Sequence, residues 1–369
     1  MVSPLDPLLA WLRTGTTAGE RLDFPTGTAL PDGRLDLCKQ DLGPTGAALV
    51  AQALRPGVVK HLLLGTDGLG DGAADVAGEA VQREVETLYL GCNGITAGGA
   101  CRLADNLALS PQASRVTGIW LKRNPIGDGD AAAALVESAR SLRTLDLVQT
   151  GLDATAMARL VGAVIAAKAA GRPVERLYVG GNPLGPAGAT HLAALLAADA
   201  VSELYVSAAG LGDEGAHTIA DALLPGRLRR ISLASNGIGP LAAARVVAAA
   251  ARAGVEVCDL GRVKAAGVLG AEDNRLDADA TTAIAAALAS GPHGLRHLVL
   301  SNTGIGSQAA HRLLDGARRA VTPTRFVLSK GIAGSVKRRL DALSAEVPAL
   351  PPVHPDVEAV RSVHRQPAG

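Results

Sequence analysis

The sequence predicts an α/β solenoid, a parallel sheet lining one side and helices the other. Three observations predict it. Two aliphatic residues separated by one residue recur down almost the whole chain, as in Leu88-Tyr89-Leu90. An asparagine, or a residue in its place, follows three positions after the second aliphatic, as Asn93 does, and another aliphatic comes two further on, here Ile95. The apolar spacing then changes from two to three or four, the switch from a strand to a helix with one buried stripe.

The alternating pairs begin at Leu35, Leu62, Leu88, Ile119, Leu145, Leu177, Leu204, Ile231, Cys258, Leu298 and Phe326. Successive starts are 26 to 32 residues apart except for one step of 40. A fixed period of this size marks a stack of repeats. One strand, turn and helix cannot bury its own apolar face, whereas many stacked copies share one core. The asparagine amide is suited to the backbone groups that neighbouring turns leave unpaired. Ala216, Ile219, Ala220 and Leu223 give one repeat's helical stripe. Asp213 and Asp128 are expected to cap their helices by accepting from first-turn amides.

With Ile231–Gly239 (ISLASNGIG), Leu88–Ile95 (LYLGCNGI) and Ile119–Gly127 (IWLKRNPIG) in view, the chain resembles the leucine-rich-repeat family in its long, ribonuclease-inhibitor-like form. The resemblance runs from about Leu35 to about Leu343. It implies a right-handed horseshoe with a concave parallel β-sheet and convex α-helices. The chain departs in its few cysteines, alanine-rich helices and degenerate asparagine positions.

Residues 1–33 read as an N-terminal cap. Ser3 to Leu12 is expected to be a short helix capped by Ser3, with Trp11 and Phe24 as an apolar plug; a solenoid's end needs such a cover. Residues 34–346 hold about ten repeats and a terminal half-repeat. The third and fifth repeats carry extra residues around Ser110–Ser114 and Ala169–Pro173. The ninth carries an insertion at 261–273, placed to border the concave face; such rim insertions often mark binding surfaces. Gly334 to Glu346 suits a last helix. Residues 347–369, with prolines at 348, 351, 352 and 355, read as an extended or disordered tail.

Composition narrows the function. Thirty-six Lys and Arg against 35 Asp and Glu leave a net charge of +1, which gives no general attraction to nucleic acid or an anionic membrane. Four scattered cysteines, Cys38, Cys92, Cys101 and Cys258, suit reduced thiols and a cytoplasmic location. The N-terminal residues lack the basic-then-apolar pattern of a signal peptide. No apolar stretch is long enough for a membrane span. The chain is expected to be a monomer.

Candidate chemistry sits on the strands. Of the chain's three Tyr and two Trp, four occupy the position between the paired aliphatics: Tyr89, Trp120, Tyr178 and Tyr205. That position points away from the helices. Aromatic residues favour pleated strands in any case. Four solvent-exposed rings on neighbouring coils are nevertheless the material of an interface. Lys122, Arg123, Asp146 and Asp259 flank them with mixed charge, as an interface rim requires. The expected function is therefore non-enzymatic binding of a protein or peptide partner on the concave face, through Tyr89, Trp120, Lys122, Arg123, Asp146, Tyr178, Tyr205 and Asp259.

No catalytic residue, cofactor or metal site is expected. Gly68-x-Gly70-x-Gly72 looks superficially like a dinucleotide loop, yet the repeat itself puts a glycine-rich turn there. The histidines form no metal-binding pair, and no cysteine pair has metal spacing. The alternative functions are a regulator, since such repeats also resemble those of the Ran GTPase-activating protein, a sensor or adaptor subunit of a larger complex, and a plain scaffold.

Overall fold

A computed structural model of the chain describes residues 3–363. The chain divides into two compact units, Met1–Leu152 with Gly162–Val174 and Val353–Gly369, and Asp153–Val161 with Glu175–Pro352. Both are built from the same strand–turn–helix repeat, and the fold class is a leucine-rich-repeat solenoid.

The first unit contains strands β1 (Leu22–Phe24), β2 (Gly27–Ala29), β3 (Arg34–Asp36), β4 (His61–Leu63), β5 (Thr87–Tyr89), β6 (Gly118–Trp120) and β7 (Thr144–Asp146). Its helices are α1 (Asp6–Thr14), α2 (Gly43–Ala53), α3 (Ala73–Gln82), α4 (Ala97–Leu109) and α5 (Gly129–Ser138). Helix α6 (Ala154–Ala169) has residues in both units. The second unit contains β8 (Arg176–Tyr178), β9 (Glu203–Tyr205), β10 (Arg230–Ser232), β11 (Val257–Asp259), β12 (His297–Val299) and β13 (Arg325–Val327). Between and after these strands lie α7 (Gly185–Ala197), α8 (Gly212–Ala222), α9 (Pro240–Ala253), α10 (Ala278–Ala289), α11 (Ser307–Ala317) and α12 (Gly334–Leu343). The last helix, α13 (Pro355–Glu358), belongs to the first unit.

Register follows the leucine signature. In the first unit Leu35, Leu62, Leu88, Ile119 and Leu145 stand side by side on parallel strands. In the second, Leu177, Leu204, Ile231, Cys258, Leu298 and Phe326 do the same. These residues are buried against the helices. Burying each aliphatic side chain is worth about 2 kcal/mol, so the repeated column is the main source of cohesion. Alanine fills much of the helix side: seven alanines of α9 are buried. Alanine has the highest helix propensity and loses no rotamer freedom on burial.

The asparagine positions form a ladder. Asn124 accepts at Oδ1 from the amides of Asn93 (2.9 Å) and Ile95 (3.1 Å) of the preceding repeat. Its Nδ2 donates to the carbonyls of Leu90 (3.0 Å) and Leu121 (2.8 Å). Asn236 and Asn274 repeat the pattern in the second unit. Before Asn93, Asn124 and Asn236 the preceding residue is left-handed, φ +60° at Cys92, +57° at Arg123 and +51° at Ser235. That turn aims the ladder side chain inward at a cost of about 1 kcal/mol for a non-glycine residue.

Several local expectations need correction. Asp128 does cap α5, accepting from the amides of Asp130 and Ala131. Asp213 does not cap α8, which opens at Gly212; its carboxylate instead accepts from the Gly239 amide of the next repeat. Helix α1 runs from Asp6, three residues later than expected, but Ser3 does cap the turn that leads into it: its Oγ accepts from the Leu5 amide at 3.3 Å, and Asp6 accepts in return from the Ser3 amide at 2.8 Å. Trp11 and Phe24 do meet, with ring centroids 5.5 Å apart. Strand β2, which no periodicity in the sequence marks, pairs antiparallel with both β1 and β3 and so covers the β3 edge. The extra residues of the third repeat form a 3-10 turn, Pro111–Arg115.

Candidate functional site

In each strand the residues flanking the central aliphatic turn away from the helices and form the open face of the sheet. In the first unit Tyr89, Trp120 and Asp146 stand in register on β5, β6 and β7. In the second, Tyr178, Tyr205, Ser232 and Asp259 stand in register on β8 to β11. Each unit thus brings its own share of the predicted residues into one row.

The rings do not stand out into solvent, as the sequence led us to expect. Tyr89, Tyr178 and Tyr205 are half-buried, and Trp120 is 3% exposed. Glycines explain the first pair. A Cβ on Gly118 would lie 2.1 Å from the Trp120 ring, and one on Gly65 would lie 2.5 Å from the Tyr89 ring. Both rings therefore lie down on bare backbone. The visible signal in the sequence was the glycine two positions before Trp120, on the same face of β6.

Lys122 places its ammonium 5.1 Å from the centre of the Tyr89 ring, a cation–π contact, and its stem lies against Gly91. Arg123 is exposed and donates from Nε to Gln149 Oε1 at 2.9 Å. Asp146 is buried and accepts from the Val148 amide at 2.9 Å. Burial pushes its carboxyl up to about 6, against the pull of that amide and of Lys122. Asp36 and Asp259 also accept from the amide two residues ahead. These strand-end aspartates thus fix the turn. Burial also raises the Asp259 pKa.

The second unit holds the tighter aromatic pair. Tyr178 and Tyr205 stack with centroids 4.1 Å apart and planes 5° from parallel. The Tyr205 hydroxyl donates to Glu203 Oε2 at 2.6 Å and accepts from Arg230 Nη1 at 3.3 Å. Burial and the neighbouring Tyr178 and Glu203 raise its pKa, so the hydroxyl stays protonated. Ser232 donates to Asp259 Oδ2 at 3.0 Å. The 261–273 insertion is tied to β10's turn: Ser235 Oγ accepts from the Val263 amide, and the Glu272 carbonyl accepts from the Gly237 amide. Its Leu269 and Glu272 border a groove with Gly181, Pro183, Ala208 and Gly210.

Cys38 and Cys258 are buried, and burial pushes the Cys38 thiol up to about 12. Burial likewise raises Cys258. Neither behaves as a nucleophile, since the thiolate is the reactive form. No group of three or more potential metal ligands occurs among the described residues. No helix among them is long and apolar enough to cross a membrane.

The C-terminal segment packs on the strands, which no pattern in its sequence indicates. In the second unit the carbonyls of Ser344 and Val347 accept from Arg325, and that of Pro352 accepts from Arg230. In the first, Ser362 and Val363 donate to Asp36. The tail's proline content carried no signal for this docking; residues 364–369 lie outside the described part.

No family model matches the chain, and no curated protein does. Among solved structures it is similar to a chain in the crystal structure of the Rad7 and Elc1 complex in yeast. The identity is 13% and the TM-score 0.55, over 93% of this chain and 81% of that one. At that identity the likeness concerns the fold.

Proposed function

We propose that this protein is a non-enzymatic, cytoplasmic interaction module of the ribonuclease-inhibitor-like repeat type, which acts as a monomer and takes a protein or peptide partner on the open face of its sheet. The observation that carries this reading is the Tyr178–Tyr205 stack, half-buried and continued by Arg230, Ser232 and Asp259. Stacked, pre-positioned rings lose little entropy on binding, which is why such residues dominate interface energetics. In the first unit, Tyr89, Lys122, Arg123 and Asp146 form the matching patch, with the Trp120 ring as its floor. The Leu269 groove would receive the partner's edge. Similarity to a chain found in a two-protein complex supports the same class of role.

The test compares proteins retained from host lysate by the parent chain and by Tyr178→Ala, Tyr205→Ala and Arg123→Ala, each checked for folding by circular dichroism. The expected outcome is loss of specific partners with at least about tenfold weaker binding, as for anchors worth more than 1.4 kcal/mol. Unchanged retention by folded variants refutes the proposal.

A further inference from the structure

In the second unit the open face already holds a piece of chain. After α12 the Ser344 carbonyl accepts from Arg325 Nη2 at 2.9 Å, and the Val347 carbonyl from Arg325 Nε at 3.0 Å. The Pro348 carbonyl lies 2.8 Å from His297 Nε2, and the Pro352 carbonyl accepts from Arg230 Nη2 at 2.8 Å. Arg325, His297 and Arg230 open β13, β12 and β10, and the register puts them in one row with Val257 of β11. The order of the tail carbonyls follows the order of the strands. Val347 is 1% exposed, so this is a packed seat rather than a passing contact.

The first unit gives an independent instance. The Arg361 carbonyl accepts from Arg34 Nη1 at 2.6 Å, and Ser362 Oγ donates to Asp36 Oδ2 at 2.9 Å. The Val363 amide donates to the same oxygen. Arg34 and Asp36 flank Leu35 on β3, on the open face. Both are buried, and Ala359 of the tail is 7% exposed.

Chemistry says what else would fit. The donor row of the second unit meets the segment at main-chain carbonyls, so it does not read the tail's own side chains. The proline-bearing run after the Ser344–Val347 turn suits such a row: Pro348, Pro351 and Pro352 have no amide to donate, so its carbonyls stay available, and it loses little freedom on docking. Arg230 also holds the hydroxyl of Tyr205, whose ring stacks on Tyr178, and aromatic surfaces beside such donors recognise prolyl peptides.

We propose that Ser344–Val363 is an internal ligand of the open face, and that the same donors take an extended, proline-containing peptide of a partner protein once this segment is displaced. The inference rests on the open face being the partner surface, and adds the partner's chemistry and the competition that gates it. A tethered ligand acts at an effective concentration of about millimolar, so a partner in trans meets an occupied face.

The probe is a fluorescent synthetic peptide of residues 344–363 added to full-length protein. In the tail variants Val347→Lys and Ala359→Asp a charge enters a buried tail position, while every donor on the sheet is kept. Both are expected to bind the peptide at least about tenfold more tightly than the parent chain, given that tethered competition. In both, the tail amides should exchange faster with deuterium, and trypsin should cut faster after Arg361. A peptide with its prolines replaced by alanine should lose that binding. Two variants guard against one misfolding. Binding to neither folded variant overturns the inference, because the tail is then only an end cover. Equal binding to parent and variants overturns it too, because the face is then not occupied. Either result leaves the foreign-partner reading to its own test, which uses tyrosine variants and no tail peptide.

Discussion

Asp67 offers a sharp test of the ladder. It occupies the position held by Asn93, Asn124, Asn236 and Asn274 in other repeats, and its side chain is fully buried. Its Oδ1 accepts from the Gln40 amide at 2.8 Å, while Oδ2 has no hydrogen-bond partner. An asparagine here would present an amide instead, as Asn93 does when it donates to the carbonyls of Leu64 and Leu90. Burial raises the Asp67 carboxyl from 3.8 to about 6, against the pull of the Gln40, Leu42 and Asp41 amides. Two pKa units correspond to about 3 kcal/mol of penalty for holding the charge at neutral pH. New hydrogen bonds from the amide add about 1 kcal/mol each.

The sign follows from proton binding. The folded pKa lies above the unfolded one, so the folded state holds the extra proton between about pH 4 and 6. Stability from this site is fully present below about pH 4 and is lost as pH rises through about 6. Asp67→Asn removes that loss. Chemical denaturation followed by circular dichroism at pH 4 to 8 should show the variant more stable by about 2–4 kcal/mol at pH 8. The gap should narrow toward pH 4. A variant no more stable than the parent at pH 8, or a gap independent of pH, refutes the reasoning.

Two further changes probe the same architecture. Gly118→Ala puts a Cβ 2.1 Å from the Trp120 ring, so the ring must lift; the expected cost is about 1–3 kcal/mol with a red shift of tryptophan emission, and unchanged emission and stability would tell against the glycine seat. Asn124→Ala leaves the amides of Asn93 and Ile95 and the Leu121 carbonyl without their side-chain partner, while the Leu90 carbonyl keeps Asn93 Nδ2; denaturation should show a loss of about 3 kcal/mol or more, since each buried orphan costs about 1–3.

The sequence carried the repeat. Leucine spacing sets strand register, because a one-residue slip would turn every aliphatic to the wrong face. The asparagine ladder was legible for the same reason: its chemistry acts between copies at a fixed offset. Asp128 as a cap was legible because capping is a contact within three residues. Asp213 was misread because its partner, Gly239, lies in the next repeat, beyond any local rule.

Which residues share a row on the open face, Tyr89 with Trp120 and Tyr178 with Tyr205, was therefore written in the periodicity alone. How those rings lie was decided by tertiary packing. Gly118 lets Trp120 fall flat, and facing register stacks Tyr178 on Tyr205. The seating of Pro348 and Pro352 on His297 and Arg230 was likewise settled only in three dimensions. Periodicity fixes neighbours one repeat apart, whereas contacts across 51 and 122 residues depend on where the folded sheet presents its donors.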